Sequence, residues 1–152
     1  MRTDVNTLII LTYLSVTKEF GVANNPMRFR ASCIKTLSAV EARPERSNQH
    51  EFNGVRELKG LLGLDGFHCN ATFSIRGAGM SCLAEVTWYD AREAHPTRSE
   101  HRLYFYSNPV MKQAEEGDNI VIGFDTTNHL HIVLIKRGSP TFRTVTEGWH
   151  VE

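Results

Sequence analysis

The sequence predicts a mainly β (α+β) domain, with about seven mostly antiparallel strands in an open barrel or pseudobarrel and two helices. Three observations predict it. Apolar and polar residues alternate with a period of two through several segments of the second half. Turn-forming residues separate those segments at short intervals, as in barrels built from hairpins. The chain has 152 residues, of which 41% are hydrophobic and 22% charged, the size and composition of one globular domain.

The elements follow in order. Residues 4–20 read as a helix capped by Asp4, with Val5, Leu8, Ile9 and Val16 at about helical spacing. Gly21 and Asn24-Asn25-Pro26 stop it. Residues 28–39 read as a long, half-exposed strand. Residues 41–53 have no apolar period and read as a functional loop. Val55, Leu58, Leu61 and Leu62 mark a short helix over 55–62. Phe67, Cys69, Ala71, Phe73 and Ile75 then alternate with polar residues, Gly77 and Gly79 turn the chain, and Cys82, Ala84, Val86 and Trp88 alternate again. A second polar loop precedes a strand at 103–106. Ile120, Ile122 and Phe124 form one arm of a hairpin, and Leu130, Ile132 and Leu134 form the other. A last strand is predicted from Phe142 to Val145.

Composition narrows the function. Seventeen basic residues balance seventeen acidic ones, which argues against a sequence-blind nucleic-acid binder. A sequence reader is still compatible with it, and twelve of the seventeen are Arg, whose planar fork suits phosphates and guanine edges. The basic residues are also uneven along the chain. Residues 28–59 hold seven basic and four acidic residues, whereas 103–135 hold one and four, so a neutral protein can still present a positive face. No run approaches 18 apolar residues, so no membrane span is expected. The apolar Leu8-Ile9-Ile10-Leu11 is short and no small-residue cleavage site follows, so no secretion signal is expected either. Cys33, Cys69 and Cys82 are odd in number and far apart, which predicts no disulfide framework and a reducing compartment, the cytoplasm, while the apolar strand phase of Cys69 and Cys82 predicts buried thiols there.

The segment T-R-S-E-H-R, residues 97–102, carries the most chemistry. In an extended chain, Arg98, Glu100 and Arg102 share one face, and Ser99 and His101 point the other way. Arg suits the O6 and N7 acceptors of guanine, and a carboxylate suits the N4 amino group of cytosine. Two Arg flanking a Glu can therefore read neighbouring G·C pairs. The same residues equally describe a solvated edge whose charges pair with one another. The first polar loop, with Arg43, Arg46, Asn48, Gln49, His50 and Glu51, has the same character. Arg28, Arg30, Lys35, Arg56, Lys59 and Arg92 cluster around the two loops in sequence and suit phosphate contacts, or a plain solvated face.

Enzymatic readings are thinner. Pro44-Glu45 followed by Glu57-Leu58-Lys59 has the layout of a metal-dependent nuclease, but those acids fall in a loop and a helix rather than on apolar strands. Cys69, Cys82, His68 and His95 lack the paired spacing of a zinc site. Gly77-Ala78-Gly79 lacks the third glycine of a dinucleotide loop. His129 and His131 share a strand face and read as surface or satisfied core histidines.

The order of these pieces has a parallel. The strand ending I-K-T-L-S-A (34–39), the polar arm ending Q-H-E (49–51), the helix, the strand A-E-V-T-W-Y-D (84–90), the arm T-R-S-E-H-R (97–102) and the segment G-D-N-I-V-I-G-F (117–124) resemble the N-terminal effector domain of EcoRII-type restriction endonucleases, a DNA-binding pseudobarrel. The resemblance spans roughly residues 5–140 and is most specific at 97–102. It implies one domain over residues 1–152, gripping duplex DNA from the major groove with an N-arm and a C-arm at a CCWGG-type site. It implies base contacts from Arg98, Glu100, His101 and Arg102 in the C-arm and from His50, Gln49 and Glu51 in the N-arm. Lys35 matches a basic position before the N-arm, and Arg43, Arg46 and Arg92 are placed on the DNA backbone. His101 stands where the family pattern has Lys, which weakens that contact or makes it pH-dependent. The N-arm is about two residues longer than the pattern. The family's cleavage lies in a separate C-terminal Mg-dependent domain. This chain is therefore expected to be a non-catalytic, cofactor-free, monomeric targeting domain of a bacterial cytoplasmic enzyme, with a self-contained Mg-dependent nuclease or a protein-interaction β domain as the alternatives.

Overall fold

The structure is a computed structural model, and it describes residues 27–43 and 50–152. The helix expected at 4–20 lies outside the described residues. The strands are β1 (Phe29–Thr36), β2 (Glu51–Asn53), β3 (Phe67–Ile75), β4 (Ser81–Asp90), β5 (His101–Phe105), β6 (Asn119–Asp125), β7 (Leu130–Ile135) and β8 (His150–Val151). Two helices, α1 (Ala39–Ala42) and α2 (Arg56–Leu62), and a 3-10 turn (Met111–Gln113) complete the described elements.

The strands form one curled, mixed sheet in the order β2-β5-β4-β3-β7-β6-β1-β8, a mainly β open barrel. Among the described strands, only the β3–β7 pairing is parallel. The curl brings opposite ends of that order together. Phe52 on β2 meets Trp149, which precedes β8, edge to face at 5.7 Å. Alternation explains the core. Phe73, Val86, Trp88, Leu103, Phe105, Ile120, Ile122, Ile132 and Leu134 are buried in one cluster, while their strand neighbours point to the opposite face of the sheet. Trp88 is fully enclosed, and its indole N–H donates to the Gly63 carbonyl at 2.9 Å, so its polar atom is satisfied as well. On the other face of β1, β6 and β7, Ile34, Val121, Val133 and Ile135 form a second, smaller cluster covered by Phe29 and Phe142.

Three boundaries differ from expectation, each for a local reason. The strand expected over 28–39 ends at Thr36, because Ser38 starts α1 with a capping box. Glu41 Oε2 accepts from the Ser38 amide at 3.0 Å, and Ser38 Oγ accepts from the Glu41 amide. The loop expected over 41–53 consequently opens in a helix and closes in β2. The strand expected from Phe142 to Val145 does not form. The Arg143 and Thr146 amides donate instead to Asn119 Oδ1 and Thr36 Oγ1, at 2.8 and 2.9 Å, so side chains take the place of a ladder. The closing pair with β1 comes later, at β8. Among the described residues, no helix is long and apolar enough to cross a membrane.

Candidate nucleic-acid interface

Two loops lead into neighbouring strands of the sheet. One joins β1 to β2 through α1 and is called the N-arm here; the other joins β4 to β5 through residues 91–100 and is called the C-arm. β2 and β5 are neighbours, with Glu51 opposite Tyr104 and Asn53 opposite Arg102. The pairing is antiparallel, so the N-arm enters the ladder at Glu51 and the C-arm at its other end, at His101, and Glu51 reaches Arg102 diagonally across this short ladder.

The C-arm is fastened at its base. Asp90 ends β4 and faces His101 across the ladder. Its Oδ1 accepts the amides of Arg92 at 2.9 Å and Glu100 at 2.8 Å, and the Ala91 amide donates to the Glu100 carbonyl at 2.7 Å. The amides of Glu100 and Arg92 hold the Asp90 carboxyl below its ordinary range.

A chain of charges runs across both roots. Glu100 Oε2 accepts from Arg92 Nε at 2.6 Å, and Oε1 accepts from Arg102 Nη2 and Nε at 2.6 and 3.1 Å. Arg102 Nη1 donates to Glu51 Oε1 at 2.6 Å, and the Tyr89 hydroxyl donates to Glu51 Oε2 at 3.3 Å. Hydrogen bonds from Arg92 and Arg102 lower the Glu100 pKa, and the bond to Glu100 raises that of Arg102. Burial, followed by the Glu51 carboxylate, raises that of Tyr89. Glu51 also lines a polar cleft of about 270 Å³ with Lys35, Ser38, Glu41 and Asn53.

The residues named from sequence fall into distinct places. Arg98 is exposed near the tip of the C-arm, and its guanidinium has no hydrogen-bond or ion-pair partner among the described residues. Arg102 is half-buried, its side chain 28% exposed. Glu100 and Glu51 are engaged by guanidiniums, so their carboxylates act as supports for Arg102. His101 is the clear correction. It is 5% exposed, stacks at 5.1 Å on Trp88, and its Nε2 donates to the Leu64 carbonyl at 3.1 Å. A ring buried on the inner face of β5 does not fit a base-reading role. The alternation that places Arg102 outward requires this of its neighbour.

His50 is half-buried at the start of β2, its ring edge-on to Phe105 at 5.7 Å and its carbonyl accepting from the Phe105 amide. Lys35 is paired with Glu41 at 2.5 Å and lies 5.9 Å from the Trp149 ring. Arg43 is exposed, and Arg92 is tied to Glu100. Gln49 and Arg46 lie outside the described residues, as does Glu45 of the nuclease layout. Glu57 and Lys59 sit on α2, where residues two apart point to different sides.

Cys69 and Cys82 stand on adjacent strands opposite Val86 and Phe73, four rungs apart, and all three cysteines are free thiols. His131 Nε2 bonds Asp125 Oδ2 at 2.8 Å and His129 Nε2 meets Thr72 Oγ1 at 2.8 Å, so both rings have partners inside the sheet. Among the described residues, no group of three or more His, Cys, Asp or Glu side chains is arranged to hold a metal ion.

Asp90, Tyr89 and His95 belong to this site and are not legible as such in the sequence. Asp90 carried the only usable signal: an Asp at a strand end before a polar loop is a natural acceptor for loop amides. Compared with known proteins, the chain matches no family model and no curated protein sequence.

Proposed function

We propose that this chain binds duplex DNA at a specific sequence, reading base edges in the major groove with its two arms. The carrying observation is the Arg102 guanidinium. An Arg offers five N–H donors, and Arg102 spends Nε–H, one N–H of Nη1 and one of Nη2 on Glu100 and Glu51. Among the described residues, one N–H on each terminal nitrogen is left without a partner. A pair of donors on a fixed plane matches O6 and N7 of one guanine. The supporting carboxylates come from both arms, so the fork is oriented before DNA arrives, which reduces the ordering cost of binding. Arg98, exposed and without a side-chain partner among the described residues, supplies a second donor set from the C-arm itself.

On this reading Glu51 and Glu100 orient the readers, while Arg43 and Arg92 lie at the edge of the site and contact phosphates. The proposed site is of the CCWGG type, since the readers favour G·C pairs and the sequence resembles EcoRII-type effector domains. The chain is then a targeting domain, with cleavage performed by a separate Mg-dependent domain of a bacterial cytoplasmic enzyme. The free thiols fit a reducing compartment. Selection from a random duplex library at fixed salt tests the reading. Enrichment of a short G·C-flanked motif supports it, and recovery of unenriched sequence overturns it. The chain is expected to leave plasmid intact in Mg²⁺; nicking would favour a self-contained nuclease instead.

A further inference from the structure

The geometry points to His95 as the positioning residue that sets the direction of Arg98, an inference that rests on the DNA-reading function proposed above. His95 Nδ1 accepts two successive amides, Thr97 N–H at 3.2 Å and Arg98 N–H at 3.1 Å. An acceptor on residue i that takes the amides of i+2 and i+3 is the device by which Asp and Asn side chains nucleate turns. Here an imidazole does it. Pro96 stands between, with its φ fixed by the ring, and the His95 amide donates back to the Arg92 carbonyl at 2.8 Å. Since Nδ1 accepts, the hydrogen bonds assign a neutral ring with its proton on Nε2.

The division of labour along the arm follows. Asp90 and Glu100 hold the base. Among the described residues, no side chain other than His95 bonds the amides of residues 97 to 99. Among the described residues the Arg98 guanidinium has no partner, so the turn at its backbone is what restricts where it points. Without the turn, the arm tip loses more freedom on binding, and the discrimination carried by Arg98 falls.

The test uses His95→Ala and His95→Asn in the full chain. Asn places Oδ1 at the same bond distance from Cα as Nδ1 of histidine, so it can accept both amides. The first readout needs no DNA: exchange of the Thr97 and Arg98 amides, followed by NMR. It should speed up about tenfold in His95→Ala and return in His95→Asn. The second is the affinity ratio between the selected duplex and a scrambled one. It should fall about tenfold in His95→Ala, recover in His95→Asn, and leave scrambled binding unchanged. A wild-type chain that discriminates, with both readouts unmoved in His95→Ala, overturns the role of His95 alone. A wild-type chain that discriminates between no duplexes overturns the DNA reading and this inference with it.

Discussion

Glu51 and Arg102 stand 51 residues apart in the sequence and 2.6 Å apart in the fold, Oε1 to Nη1, joining the roots of the two arms. The pair exists because β2 lies beside β5. Both side chains are shielded from solvent to a degree that surface ion pairs are not, Glu51 to 10% exposure and Arg102 to 28%. A double-mutant cycle with Glu51→Gln and Arg102→Met should return a coupling of about 1 kcal/mol in denaturant unfolding. Additive effects would mean that the pair contributes nothing to holding the arms together.

Gly54 marks the closest packing behind the site. A Cβ there would lie 2.5 Å from the Trp88 ring and 2.6 Å from the His101 carbonyl, which already accepts the Gly54 amide at 2.7 Å. Gly54→Ala must push β2 away from β5 or shift Trp88. It should cost about 1–3 kcal/mol, read as a lowered unfolding midpoint. An unchanged midpoint would show that the strand ends can spread at no cost.

His101 separates burial from reading. His101→Ala removes the donor to the Leu64 carbonyl and the ring beneath Trp88, and should cost about 1–3 kcal/mol of stability. Base preference in the folded variant should stay as in wild type. A changed preference at one base pair would return His101 to the reading set.

The arm should respond to acid. Asp90 and Glu100 both have folded pKa values below their ordinary ones, Asp90 from the amides it accepts and Glu100 from Arg92 and Arg102. A depressed folded pKa means that the unfolded form binds protons first as pH falls. The contribution of these two groups is therefore full above about pH 4–5, where unfolded carboxyls are ionised, and is lost as pH drops through the folded values. Protection of the Arg92 and Glu100 amides, corrected for intrinsic exchange, should decline over that acid window. A flat profile would show that the carboxylates do not hold the base of the arm.

Much of the fold is legible in the sequence, because long strands write their period into it. Phe67 to Ile75 alternate without a break, Cys82 to Trp88 do so except at the exposed Leu83, and both form strands whose apolar phase lies in the core. The end of β1 is hidden by a competing signal: Ser38 and Glu41 form a capping box inside a stretch that also suits a strand. β8 is two residues long, too short to show a period, and it forms because Trp149 fills the open side of the barrel against Phe52. At the site, phase alone separates Arg102 from His101. What sequence spacing does not carry is the sheet order. Only the β2–β5 pairing turns Glu51 into a support for Arg102, and only the fold of residues 95–98 turns His95 from a loop residue into an acceptor of two amides.

The most direct measurement compares wild type, Arg98→Ala and Arg102→Ala on the selected duplex and on a scrambled one, at one salt concentration. Each variant should lose about 1–3 kcal/mol on the selected duplex and relax choice at one G·C pair, with scrambled binding nearly unchanged. Equal losses on both duplexes would mean that these guanidiniums touch only phosphate, and would contradict the reading.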